Sequence, residues 1–147
     1  MNFRILHTEV QQFITDHINS DITKLVLKGS PFDGISMQEL ANQTVAKKKA
    51  STKLPTWFSA DNIYYPEKIS IEQTSSEITA AYKSGLISGE TMVDITGGFG
   101  VDSYYFSKHF NKVIHLEINP ALSAIVKHNY KQLKRDNIAT FSDNGID

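Results

Sequence analysis

The sequence predicts an α/β fold: a helical N-terminal module followed by the first half, about three strands, of a parallel sheet. Three observations predict it. Met92-Val93-Asp94-Ile95 runs into Thr96-Gly97-Gly98-Phe99-Gly100, which reads as a buried strand, a glycine turn and the start of a returning helix. A second apolar run, Val113-Ile114-His115-Leu116, follows and is closed by Glu117. The first fifty residues instead show capping residues alternating with helical apolar stripes. The expected division is a helical module over 1–60 and a partial sheet domain over 61–147, cut off after its third strand.

Composition bounds what the chain can be. With 147 residues there is room for one core, or for a small module joined to part of a larger one. A net charge of -1 argues against a wholesale nucleic-acid binder and leaves room for a local basic face. The absence of cysteine excludes a disulfide framework and thiolate metal sites. His7, His17, His109, His115 and His128 have no metal-binding spacing and no nucleophile partner, so no metal is expected and they read as surface or strand residues. Neither a signal-peptide core nor a bilayer-spanning run is visible, and a cytoplasmic protein without a membrane partner is expected.

In chain order, Thr8-x-x-Gln11 resembles a capping box opening a helix with Val10, Phe13, Ile14 and Ile18 on one face. Asp21 caps a second helix through Leu25, Val26 and Leu27, ended by Gly29 with Pro31 beyond. Ser36-x-x-Glu39 opens a third, burying Met37, Leu40, Ala41 and Val45. Lys47-Lys48-Lys49 and Lys53 end that helix, where cations suit its dipole or would contact a phosphate backbone. Trp57 and Phe58 read as a packed hinge rather than a base-stacking platform. Asn62 to Pro66 is extended. A helix then starts at Ser70-x-x-Gln73 or Thr74-x-x-Glu77, with Ile78, Ala81, Tyr82 and Leu86 as its buried stripe and Gly85 and Gly89 at its exit. After the glycine turn, Val101 to His109 form a crossover helix. Asn119 caps the next helix, with Pro120 in its first turn and Leu122, Ile125, Val126, Asn129 and Leu133 along it. Ile138 to Phe141 form the third strand, followed by a turn at Ser142-Asp143-Asn144-Gly145.

The glycine turn separates ligand classes. A dinucleotide turn aims backbone N–H groups at a pyrophosphate, and a carboxylate within it would repel that ligand. Here Asp94 and Asp102 flank the turn, and Ser103 stands where the third glycine would be. A ligand carrying positive charge and no phosphate fits better. S-adenosylmethionine, with its sulfonium and ammonium groups, is such a ligand. Glu117 lies about 20 residues beyond the turn, where a Rossmann-type fold places a carboxylate on ribose hydroxyls.

The pattern Asp94-x-Thr96-Gly97-Gly98-Phe99-Gly100-x-Asp102 resembles the first motif of class I S-adenosylmethionine-dependent methyltransferases, in a form found in some RNA methyltransferases. With Tyr65-Pro66, Ser70 to Glu77 and Tyr82-Lys83, it is similar to a bacterial methyltransferase family that carries a THUMP-like domain near its C-terminus. The resemblance covers roughly 54–130. It implies a Rossmann-like methyltransferase sheet, with Asp94, Thr96, Gly97, Gly98, Phe99, Gly100 and Asp102 at the cofactor. It also implies Gln73, Ser75, Ser76 and Glu77 near the methionine end, Glu117 at the ribose hydroxyls, Asn119 at the cofactor, and Asp143 near the adenine amino group. Local capping is an equal reading for the 73–77 residues, and Asp143 taken alone is a turn residue.

The acceptor-side motif of that family, an Asp-Pro segment after the fourth strand, has no counterpart here, and the catalytic residues stay unassigned. The chain therefore reads as the cofactor-binding N-terminal piece of an enzyme whose expected substrate is RNA. In the usual strand order the first strand pairs with the fourth, so self-association through its exposed edge is expected. An NAD-dependent oxidoreductase fragment and a non-catalytic nucleotide- or RNA-binding module remain alternatives.

Overall fold

The computed structural model describes residues 1–143, which fall into two compact units that divide between Glu72 and Gln73. In the first, a 3-10 turn (Phe3–Leu6) leads into α1 (Thr8–Asp16), followed by α2 (Ile22–Leu27), α3 (Met37–Lys53), α4 (Pro55–Ser59) and α5 (Lys68–Gln73). Thr8 does not cap α1. His7 takes the N-cap position without a side-chain bond, and Gln11 turns back to donate to the Ile5 carbonyl at 2.8 Å, tying the helix to the 3-10 turn before it.

The next two caps form as their residues predict. Asp21 accepts from the amides of Thr23 and Lys24 at 3.0 and 3.3 Å, and Gly29 leaves α2 with φ 77. Ser36 and Glu39 close a full capping box, with Glu39 Oε2 accepting the Ser36 amide at 2.8 Å and Ser36 Oγ accepting the Glu39 amide at 3.1 Å. The Ser36 amide, and then Asn2, hold the Glu39 carboxyl below its ordinary value.

Beyond its cap, α3 departs from expectation. The lysine run lies inside the helix, because partners on neighbouring elements absorb it: Lys47 donates to Thr15 Oγ1 at 3.0 Å, and Lys49 pairs with Glu72. Lys53 donates to the carbonyls of Ile71 and Glu72 at 3.0 and 2.7 Å. The buried face holds Gln43, Thr44, Ala46 and Ala50, and Val45 is only half-buried. Burying Gln43 is tolerated because its amide group donates to the Tyr65 carbonyl at 2.6 Å and accepts the Tyr65 N–H at 3.0 Å, satisfying the extended 63–67 backbone. Trp57, on α4, is fully buried with Ile14, Leu40, Leu54 and Ile71.

The second unit comprises α6 (Glu77–Ser84), β1 (Gly89–Asp94), α7 (Val101–Phe106), β2 (Phe110–Leu116), α8 (Pro120–Gln132) and β3 (Ile138–Phe141). The one helix expected over 70–86 is two, because Ser76, rather than Ser70 or Thr74, supplies the cap of α6 by accepting the Thr79 amide at 3.2 Å. The stripe expected to be buried faces outward, with Ile78 85%, Tyr82 71% and Leu86 65% exposed. Glu77, Ala80 and Ser84 form the buried face instead. Glu77 accepts the Tyr105 hydroxyl of α7 at 2.7 Å, and the two small residues permit close approach of the helices.

The sheet is parallel in the order β1-β2-β3, with Val93 opposite Ile114 and Ile114 opposite Ala139. Among the described residues β1 pairs with β2 alone, and Val93 and Ile95, expected inside, are 49% and 52% exposed. Val113 and His115 point inward together from β2, both at 0% exposure. α7 stops at Phe106, short of the expected His109, because 107–109 tighten into turns that feed β2. Asn119 caps α8 through the amides of Ala121 and Leu122 at 3.0 and 3.2 Å, with Pro120 in the first turn. Tyr130 and Ser123 join Ile125, Val126 and Asn129 on the buried side of α8, whereas Leu122 and Leu133 are half-buried. No helix among the described residues is long and apolar enough to cross a membrane.

Candidate functional site: the glycine turn and its carboxylates

The turn after β1 satisfies its own backbone. Asp94 Oδ1 accepts the Thr96 amide at 3.1 Å, and the Gly97 N–H donates to the Leu116 carbonyl at 2.9 Å. The Gly98 N–H donates to Glu117 Oε2 at 3.0 Å, and the Gly100 N–H to the Gly97 carbonyl at 2.9 Å. Four amides that a phosphate-binding turn would present outward are therefore occupied by the chain, two of them by carboxylates.

Three glycines serve different ends. A Cβ on Gly97 would sit 2.3 Å from the His115 ring, and one on Gly100, at φ 85, would sit 2.2 Å from the Tyr130 hydroxyl. Gly98 is left-handed at φ 53, yet the nearest atom to a Cβ there is the Thr96 carbonyl at 3.7 Å. Gly97 and Gly100 thus let the turn lie on the side chains beneath it. Gly98 leaves an open face above.

Those side chains form a buried network. Ser103 donates to Asp94 Oδ2 at 2.6 Å, and Tyr130 donates to the Gly100 carbonyl at 2.9 Å. Both hydroxyl protons are thereby committed, so His115 Nδ1, 3.2 Å from each hydroxyl oxygen, must carry the proton and donate. Its Nε2 is then a bare acceptor turned toward Gly97, without a hydrogen-bond partner among the described residues. Burial holds His115 below its ordinary value and outweighs the pull of Asp94 and Glu117. Burial also keeps the Tyr130 hydroxyl protonated well above the usual range.

Among the residues singled out from sequence, Asp94, Thr96, Gly97, Gly98, Phe99, Gly100, Glu117 and Asn119 come together at the C-terminal ends of β1 and β2. Glu117 Oε1 accepts the Asn119 amide at 2.8 Å, so one carboxylate ties the turn to the cap of α8. Phe99, within the turn, is 2% exposed. Asp102 faces α6, where it meets Lys83 at 2.7 Å and accepts from Ser75 at 3.0 Å. Ser76 is spent on the α6 cap, and Gln73 lies exposed at the end of α5. Asp143 is exposed two residues after β3; Asn144 and Gly145, the rest of its expected turn, lie outside the described residues. Ser103, His115 and Tyr130 were not legible as one cluster, since only the fold brings α7, β2 and α8 together. The alternation that buries Val113 was the available signal for His115, which is buried rather than superficial. No group of His, Cys, Asp and Glu able to hold a metal occurs among the described residues.

No protein-family model matches this sequence, and no curated protein matches it. Among solved structures, a Porphyromonas gingivalis W83 protein that carries a provisional methyltransferase name superposes with a TM-score of 0.76 and 25% identity over 92% of this chain. The chain spans 34% of that protein's length. The M. jannaschii tRNA m1G37 methyltransferase matches 50% of this chain and 26% of its own, at 22% identity and a TM-score of 0.44. Helices followed by a three-stranded parallel sheet, with a glycine turn at the end of β1, give the chain a Rossmann-like methyltransferase fold.

Proposed function

We propose that this chain is the cofactor-binding part of a class I S-adenosylmethionine-dependent methyltransferase that acts on RNA. The observation that carries this reading is the closed turn: its amides are occupied by Asp94, Glu117 and backbone carbonyls, so a pyrophosphate would find carboxylates where it needs donors. A cationic, phosphate-free ligand meets the opposite situation. The open face above Gly98 leaves room for it.

In this reading Glu117 holds the ribose hydroxyls, with Asn119 beside it, and Asp143 serves the adenine amino group. Asp94, held by Thr96 and Ser103, and the Gly98 face receive the methionine end, while Asp102 with Ser75 and Lys83 fixes α6 next to α7. The cofactor supplies a methyl group already activated on a sulfonium, so the protein's task is alignment rather than covalent catalysis. The residues described serve the donor. The acceptor side, a THUMP-like domain and a cytoplasmic location belong to the parent enzyme by the motif resemblance.

Equilibrium titration with S-adenosylhomocysteine against NAD tests the donor site, and selective NAD binding overturns it. Transfer of a labelled methyl group by the parent enzyme to RNA, rather than to protein or small molecules, tests the acceptor class.

A further inference from the structure

The lysines that sequence alone offers for a phosphate backbone are largely engaged on α3, where Lys47, Lys49 and Lys53 bind Thr15, Glu72 and the end of α5. Positive charge outside any ion pair collects elsewhere, on α8 and the turn that follows it. Lys127 and Lys131, four residues apart, lie about 6 Å apart along one face of α8, and Arg135 follows just beyond the helix's end. None of the three has an ion-pair partner among the described residues. They line an open groove of about 420 Å³ against the outer edge of β3, where they face the single carboxylate of Asp136. That size suits a nucleotide or two rather than a duplex.

Two further observations point the same way. Phe141 lines the groove and is 52% exposed, a free ring face at its rim. The Arg135 guanidinium lies over the Tyr104 ring at 5.1 Å, which holds it in one orientation. Burial, and then the Arg135 charge, push the neighbouring Lys108 amine below its ordinary value, against the pull of Glu77.

We propose that the groove between α8 and β3 binds single-stranded RNA, with Lys127, Lys131 and Arg135 on successive phosphates and Phe141 stacked on a base. This deepens the RNA reading above and rests on it. The groove gives the acceptor strand a hold on this chain apart from the glycine turn, which serves the donor.

Fluorescence anisotropy with a labelled, unstructured oligoribonucleotide, repeated across salt concentrations, tests the proposal. Lys127→Glu/Lys131→Glu changes two exposed residues and should weaken binding about tenfold or more, with a shallower salt dependence. Phe141→Ala should cost about fivefold or more while leaving the salt dependence unchanged. Lys24→Glu/Lys28→Glu, an equal charge change on α2, should leave binding near the original. No RNA binding by the unaltered chain, equal losses from both charge reversals, or equal affinity for a duplex of the same length would each overturn it. S-adenosylhomocysteine titrated in parallel separates the two readings: cofactor binding without RNA binding sinks this inference and leaves the donor site standing.

Discussion

Glu117 Oε2 accepts the amide hydrogen of Gly98 at 3.0 Å, so the carboxylate that follows β2 holds the turn that follows β1. Its other oxygen accepts the Asn119 amide at 2.8 Å. A ribose whose hydroxyls donate to Glu117 therefore shares the carboxylate with the turn. Glu117→Ala should lower S-adenosylhomocysteine affinity about ten- to a hundredfold, the range for a lost bond to a charged group. Calorimetry measures it, and a thermal melt separates the binding loss from any loosening of the turn.

Gly97 and His115 are coupled by contact. Gly97→Ala places a Cβ 2.3 Å from a fully buried ring that cannot swing aside without breaking its bonds to Ser103 and Tyr130. A destabilisation of about 1–3 kcal/mol is expected, as for other overpacked cores. The double variant Gly97→Ala/His115→Ala should lose less than the sum of the single changes, and urea denaturation of the four proteins measures the difference.

His115 also makes stability depend on pH. Burial holds it neutral below its ordinary 6.5, so below that pH the unfolded chain takes up a proton that the folded chain refuses. Its contribution is complete above about pH 6.5 and is lost as pH falls from there toward the folded value. Glu39 and Glu72, held below their ordinary 4.5, act only at lower pH. Urea melts between pH 7.5 and 5 should show stability falling with acid, and His115→Gln should flatten that slope.

The elements were legible in the sequence where a local device sets them. Asp21, the Ser36 and Glu39 box, Asn119-Pro120 and the strand over 138–141 stand where their residues predict, because each is settled within a few positions along the chain. The burial of α6 was not legible. Its apolar residues at helical spacing imply a stripe facing the core, but Glu77 finds a hydroxyl partner in Tyr105 and turns the opposite side inward. The lysines of α3 likewise reveal their roles only once Thr15 and the end of α5 are brought beside them. At the site, Asp94, the glycines and Glu117 were readable from spacing, whereas Ser103, His115 and Tyr130 meet only through the crossovers.

One side of β1 is unpaired among the described residues. Val93 and Ile95 are about half exposed next to backbone groups that pair with β2 alone among the described residues. We expect self-association through this edge at high concentration. Light scattering should show it, and Val93→Lys/Ile95→Lys should return a monomer. A sharply monomeric unaltered chain at high concentration would speak against it.

Calorimetric titration of the chain with S-adenosylhomocysteine and, separately, NAD tests most directly whether the turn between β1 and α7 receives a phosphate-free nucleoside that carries an ammonium group. Selective binding of S-adenosylhomocysteine, weakened by Asp94→Ala, is the predicted result. Selective binding of NAD, or S-adenosylhomocysteine binding indifferent to both Asp94 and Glu117, would contradict it.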